Sequence, residues 1–202
     1  MNKLIAQGAE AKIFLNKDIV IKDRIPKSYR HPQLDKQIRK RRTRSETKIL
    51  TKALKAGANI PKVTHTDEIK SILYMEYIKG DKLSETLNSY QEKKQFEVMK
   101  KLGKQTAILH KNNIIHGDLT TSNTILSNEK LFLIDFGLGF ISTKIEDKAV
   151  DIHLIRQALE AKHFQNYEKL FDNFCKGYVW QDSEKILERL KIVEKRGRYK
   201  KQ

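Results

Sequence analysis

Apolar positions along the chain change their period near residue 78. Over 4–22 they come in short runs, with Ile13 and Leu15 on either side of Phe14, then Ile19-Val20-Ile21, and a break at Gly8. Such runs predict short β-strands. Residues 23–35 hold two of the three prolines and predict a basic loop. Ile49, Leu50, Ala53 and Leu54 then fall at helical spacing. They predict a helix over 36–56, with Gly57 as its C-terminal cap. After Pro61, two strands are expected at 62–66 and 71–77, and Gly80-Asp81 breaks the pattern. Phe96, Met99, Leu102, Thr106 and Leu109 recur every three or four residues and predict a helix over 92–111. Thr124-Ile125-Leu126 and Leu131–Ile134 predict two short strands, and helical patterns return at 148–163, 166–175 and 184–195. The order describes an α+β chain of two lobes. Its expected parts are a β-rich lobe over 1–78, a helical lobe over 79–190 and a basic tail over 191–202.

Length and composition narrow the class. A chain of 202 residues suits one domain or two small lobes, and 39% hydrophobic residues suffice for a packed core. No apolar run approaches the roughly 18 residues of a membrane span; Ile72–Met75 is strand-sized. No apolar leader begins the sequence. The one cysteine, Cys175, has no partner for an internal disulfide. These features fit a cytoplasmic protein with no membrane association.

The net charge of +16 is unevenly placed. Residues 22–48 carry eleven basic side chains against three acidic ones, and residues 191–202 carry six against one. Six of the ten arginines lie within 24–44. Arginine suits planar and phosphate recognition better than lysine. The placement points to an anionic partner, with RNA first and an acidic protein face second.

The sharpest chemical signal is His116-Gly117-Asp118-Leu119-Thr120-Thr121-Ser122-Asn123, followed by Asp135-Phe136-Gly137. This order and spacing match the catalytic and metal loops of protein kinases. Phosphoryl transfer needs a carboxylate beside the nucleophile, here Asp118, and hard oxygen ligands for Mg²⁺, here Asn123 and Asp135. Gly137 would let the backbone turn sharply after the metal ligand. Lys22 closes the run Ile19-Val20-Ile21 and would hold the ATP phosphates. Glu46 precedes the core-facing Ile49 and Leu50, so it should point inward and pair with Lys22. Met75 would lie behind the adenine, and the backbone of Glu76 and Ile78 would pair with it. Gln7-Gly8-Ala9-Glu10-Ala11 would cover the phosphates with a single glycine, less freely than a Gly-x-Gly-x-x-Gly loop.

Some expected kinase features are missing. Gly117 stands where His-Arg-Asp loops have arginine, so it cannot clamp a phosphorylated activation loop. No Ala-Pro-Glu follows Gly137, because the last proline is Pro61. About ten residues separate Gly137 from the next predicted helix, around Asp147–Asp151. Such a catalyst has a poor platform for a free peptide. Autophosphorylation, ATP hydrolysis or action on a tethered partner fit better.

Taken together, the chain resembles the small atypical kinases of the KEOPS (EKC) complex, with RIO kinases nearest in general design. The resemblance covers nearly the whole length. It rests on the kinase set, on Lys27–Asp35 (Lys-Ser-Tyr-Arg-His-Pro-Gln-Leu-Asp), on Arg39–Glu46 (Arg-Lys-Arg-Arg-Thr-Arg-Ser-Glu) and on Arg196-Gly197-Arg198. It implies a minimal bilobal kinase-like fold that binds ATP with Mg²⁺. It further implies a non-specific Ser/Thr kinase with ATPase activity, serving threonylcarbamoyl-adenosine formation in tRNA. The implied partners are the threonylcarbamoyl-transferase subunit, a small regulatory subunit on the first lobe, and tRNA through 22–48 and 191–202. The Lys-rich ending Tyr199–Gln202 departs from the Arg-rich tails of the family. Two other readings fit the same residues: a small-molecule phosphotransferase, and a non-catalytic RNA-binding scaffold with a kinase shell.

Overall fold

The structure, a computed structural model, describes residues 2–198. The expected contributions of Tyr199–Gln202 lie outside the described residues. Five antiparallel strands begin the chain: β1 (Lys3–Gln7), β2 (Ala11–Asn16), β3 (Ile19–Arg24), then β4 (Val63–Asp67) and β5 (Ile72–Glu76) after the long helix α1 (Pro32–Lys55). Their order across the sheet is β1-β2-β3-β5-β4. β3 is therefore central, and Lys22 sits between Ile13 of β2 and Leu73 of β5. β1 forms one edge and is exposed along its length.

In the first lobe two boundaries differ most from the pattern. β3 does not end at Lys22 but continues through Asp23 to Arg24, which pairs with Ala11. Charged residues mimic a strand end, yet Arg24 is buried because a carboxylate receives it. α1 starts at Pro32, inside the expected loop. Proline suits the first helical position, where its missing N–H would find no partner anyway. The other end of α1 follows expectation. Gly57 takes φ +86°. Its N–H reaches the Leu54 carbonyl while the Ala58 N–H reaches Ala53. This double bond pattern closes the helix.

The second lobe begins with β6 (Asp81–Lys82), the single-turn α2 (Leu83–Thr86) and a 3-10 turn at Leu87–Ser89. α3 (Glu92–Lys111) matches its predicted limits. Then come β7 (Ile114–Ile115), a 3-10 turn at Thr121–Asn123, β8 (Thr124–Ser127), β9 (Lys130–Leu133) and β10 (Phe140–Ile141). β6, β8 and β9 form a small sheet, and β7 pairs with β10. Three helices finish the fold: α4 (Ile145–Lys162), α5 (Tyr167–Gly177) and α6 (Ser183–Arg198). Residues 191–198 thus continue α6. One apolar cluster runs through both lobes, from Ile49 and Leu50 through Leu73 and Met75 to Leu102, Phe174 and Leu190. Polar bonds join the lobes as well. The Asn59 N–H donates to Gln105 of α3, and the Asn59 carbonyl accepts from the Leu133 N–H. Among the described residues no helix is long and apolar enough to cross a membrane.

α3 and α5 cross with almost no side chain between them. A Cβ on Gly103 would lie 2.1 Å from the Phe174 carbonyl oxygen, and one on Gly177 would lie 2.1 Å from that of Lys100. Neither neighbour is a side chain that could swing away. Gly103→Ala should therefore destabilise the protein by about 3 kcal/mol, the upper end of ordinary overpacking costs. Urea unfolding of the variant beside wild type measures this; an unchanged midpoint would disprove the close crossing.

Candidate active site

β3 and α1 bring three charged groups together behind the sheet, and the second lobe adds a fourth. Lys22 and Arg24 are two residues apart on β3 and so share a face. Glu46 meets both from α1. Its Oε1 lies 2.7 Å from Lys22 Nζ, and its Oε2 lies 2.5 Å from an Arg24 guanidinium nitrogen. All three are buried, with Glu46 only 2% exposed. Asp135 arrives from the second lobe, its Oδ1 2.7 Å from Lys22 Nζ. Burial works against the charge on Lys22, but Glu46 and Asp135 outweigh it and raise its pKa. Burial also opposes the charge on Asp135, yet Lys22 and the Gly137 N–H hold its carboxyl below the usual range.

The sharp turn after β9 lies at Asp135 itself, whose φ is +61°. This corrects the expectation for Gly137, which has no left-handed φ. Gly137 is small for another reason. Its Cβ position is 3.0 Å from Asp135 Oδ1 and 3.3 Å from Lys22 Nζ. A side chain there would press on the ion pair. A non-glycine residue in the left-handed region stores strain, and such strain gathers at functional sites.

The loop His116–Asn123 is held from below by a residue the sequence reading did not single out for function. Asp151 of α4 is fully buried. Its Oδ2 accepts the His116 N–H at 2.8 Å, and its Oδ1 accepts the Gly117 N–H at 2.9 Å. Burial pushes the Asp151 pKa up, but the bonds from His110 and His116 win and lower it. Gly117 takes φ +79°, and a Cβ there would lie 2.3 Å from the Leu138 carbonyl oxygen. Glycine is thus needed twice over at this position. The His116 ring packs on Phe136. Its Nδ1 accepts the Asp118 N–H at 3.3 Å, so Nε2 carries the proton toward the Ile134 carbonyl. Asn123 donates through Nδ2 to Asp118 Oδ2 at 2.8 Å and to the Asp118 carbonyl. Its amide oxygen remains available to a hard cation.

The cleft between the lobes has two halves of about 400 Å³ each, both lined by Ala6, Ile13, Lys22 and Asp135. One half is walled by Val20, Met75, Glu76, Ile78, Asn123 and Ile134. The other is walled by Gln7 through Ala11 and by Arg24, Arg42 and Asp118. The structure thus gathers every predicted site residue around one cleft. The Gln7–Ala11 turn is pinned, not open. The Gly8 N–H donates to the Ala11 carbonyl at 3.0 Å, Lys27 Nζ donates to the Ala9 carbonyl, and Glu10 pairs with Arg42. Glu76 has spent its N–H on the Lys62 carbonyl, which leaves only its carbonyl for a base.

Arg24, Arg42 and His163 also escaped assignment to the site. The two arginines looked like members of a basic patch. His163 lies forty-five residues beyond Asp118 and carries no motif. Its Nε2 meets Thr121 Oγ1 of the His116–Asn123 loop at 3.1 Å, and its Nδ1 meets Asn88 at 2.5 Å. Burial pushes this imidazole down from 6.5 to about 4, with Lys162 adding to the shift. A histidine kept neutral by the fold stabilises it fully above its unfolded pKa, and that share is lost as pH falls toward the folded value. Wild type should therefore lose more stability than His163→Gln between pH 6.5 and about 4. Urea midpoints at pH 7, 5 and 4 test this, and parallel declines would refute it.

Comparison with known proteins agrees with this geometry. A family model for the RIO domain matches residues 10–173. The KEOPS complex subunit Bud32 of Pyrococcus abyssi is 40% identical over 98% of this chain and 96% of its own length. The probable serine/threonine-protein kinase BUD32 homolog of Archaeoglobus fulgidus is 39% identical over 95% of this chain and 94% of its own length. A probable bifunctional tRNA threonylcarbamoyladenosine biosynthesis protein of Methanosarcina mazei is 37% identical over 98% of this chain, which matches 36% of that longer protein. A kinase-like bilobal fold, a cleft with the kinase charge set and about 40% identity over nearly the whole chain lead to one assignment: the chain belongs to the RIO-domain family and, within it, to the Bud32 family.

Proposed function

We propose that this protein is an atypical Ser/Thr kinase and ATPase that supports threonylcarbamoyladenosine formation in tRNA as a KEOPS subunit. The observation that carries the chemistry is the convergence of Lys22, Asp118, Asn123 and Asp135 on one cleft. The names of the relatives supply the tRNA context. Adenine would enter the apolar half, against Val20 and Met75, and pair with the backbone of Glu76 and Ile78. The phosphates would enter the charged half, under Gln7–Ala11.

The residues present fit a magnesium nucleotide. Magnesium is commonly held by one or two protein oxygens plus phosphates. Asp135 is kept ionised, and the Asn123 amide oxygen is left over once its nitrogen has bonded Asp118. Bound with ATP, the ion would neutralise charge on the phosphates. Lys22 would take phosphate oxygens while Glu46 keeps it in place. Asp118, oriented by Asn123, would accept the proton of the attacking hydroxyl or water. Seven residues, 138–144, join Gly137 to α4. That segment is too short to lay out a peptide, so self-phosphorylation, hydrolysis or a tethered acceptor remain as outlets. Asp118→Ala and Asp135→Ala should each lower ATP turnover by about 100-fold or more, with the fold intact by circular dichroism. Turnover near wild type in either would overturn the assigned roles.

The basic segments fit contact with tRNA, in the cytoplasm, beside the transferase subunit and a small regulatory subunit on the first lobe. The structure narrows which side chains are available. In 22–48, Lys22, Arg24, Lys27, Arg30, Arg39, Arg42 and Arg44 have acceptors within the protein. Lys36, Lys40, Arg41 and Lys48 lie outside those bonds among the described residues. In α6, Arg196 pairs with Glu146, while Glu194 holds Arg156. Each phosphate contact contributes about 0.7–0.9 to the log–log salt slope of binding. Replacing Lys36, Lys40, Arg41 and Lys48 together by Gln should therefore flatten the slope for tRNA by up to about 3. A slope that does not change would remove this surface from the tRNA contact.

A further inference from the structure

One cation in the phosphate half of the cleft stands outside the buried network. Lys22 and Arg24 are both committed to Glu46. Arg42 lines the same half, near Asp118 and Asp135. It lies one turn before Glu46 on α1, so it projects from the same side of the helix. Its partner is Glu10, at 2.5 Å, on the turn that covers the cleft. This pair is partly solvated, with side-chain exposures of 35% and 45%.

Resting on the reading of the cleft as an ATP site, we infer that Arg42 binds the terminal phosphate of ATP and exchanges Glu10 for it. Three observations converge on this. First, the covering turn has little to give a phosphate. The Gly8 N–H is spent on the Ala11 carbonyl, and no glycine in the turn adopts a left-handed φ. A donor besides the Gly8 amide has to meet the far end of the nucleotide. Second, the charges require it. The ionised side chains lining this half are Glu10, Lys22, Arg24, Arg42, Asp118 and Asp135, three of each sign. A triphosphate adds negative charge to a balanced site. Arg24 cannot answer it without stranding a buried carboxylate, which is costly. Arg42 can, because the carboxylate it leaves is already half in water. Third, a guanidinium presents paired donors that match phosphate oxygens.

The exchange links nucleotide state to the covering turn. With ATP bound, Arg42 faces the phosphate and Glu10 is released. Once the terminal phosphate is gone, Arg42 returns to Glu10. The site then distinguishes ATP from ADP through a residue on α1.

The test is equilibrium binding of Mg²⁺-ADP and of a Mg²⁺-loaded non-hydrolysable ATP analogue to the whole chain, comparing wild type, Arg42→Gln and Glu10→Gln. Arg42→Gln should weaken the analogue by about tenfold or more while ADP stays within about twofold, as expected for losing a charge-assisted bond to one phosphate. Glu10→Gln should bind the analogue as tightly as wild type or more so, because it frees Arg42. Equal losses for both nucleotides, parallel losses in both variants, or unchanged analogue binding in Arg42→Gln would each overturn the inference. The first two would reduce Arg42 to a strap on the turn. Wild type binding neither nucleotide would instead overturn the ATP reading itself.

Discussion

The Glu46 carboxylate, buried between two cations of the central strand, fixes how the first lobe assembles. An ionised carboxylate taken out of water costs several kcal/mol unless its oxygens are answered. Lys22 answers one and Arg24 the other. Both come from one face of β3, so a one-residue slip of that strand would turn both away at once. The pair therefore sets the register of β3 and the rotation of α1 together. It also leaves one positive charge over, which Asp135 neutralises from the second lobe across 113 residues of sequence. A buried network that closes only when the lobes meet favours the closed cleft.

The second lobe repeats the device with a different carboxylate. Asp151 holds two successive backbone N–H groups of the His116–Asn123 loop and the ring of His110, itself bonded to Tyr178. Gly117 lets those two N–H groups converge, since only glycine fits its φ and its contact with Leu138. Asp118 is the next residue, so its position is inherited from α4. Each lobe thus uses a helix carboxylate to place a strand or loop that carries chemistry. Asp118, the proposed proton acceptor, thus stands on backbone held in place from beneath, as a preorganised site requires.

Much of this was legible from order and period. The helix at 92–111 appeared at its limits because its apolar stripe is long and faces one core. The loop pair His116–Asn123 and Asp135–Gly137 was legible because phosphoryl transfer, the chemistry proposed for it, needs oxygen ligands at fixed spacing on local loops. What stayed hidden depended on partners far away in sequence. Arg24 looked like part of a basic loop because the carboxylate that receives it lies on α1. Asp151 looked like a helix-start acid because its acceptor role needs the loop 35 residues earlier. Pro32 looked like loop punctuation, although the same residue suits the first turn of a helix. Gly137 was read correctly as necessary but for the wrong reason, since a packing demand and a conformational demand look alike in one letter.

The charge placement changes meaning once partners are known. Five of the six arginines within 24–44 face carboxylates of the protein: Arg24, Arg30, Arg39, Arg42 and Arg44. Of these, Arg24 and Arg42 line the cleft between the lobes, while Arg30, Arg39 and Arg44 are held by Asp35 and Glu68 away from it. Pairing does not remove charge from the far field, however, because the net +16 is unaffected by which side chains touch. Long-range attraction of a polyanion depends on that sum, whereas close contact depends on side chains with donors to spare. The two roles therefore fall to different residues. For the proposed tRNA contact, the whole surface would draw the anion in, and Lys36, Lys40, Arg41 and Lys48 of α1, which have no acceptor among the described residues, would set where it rests.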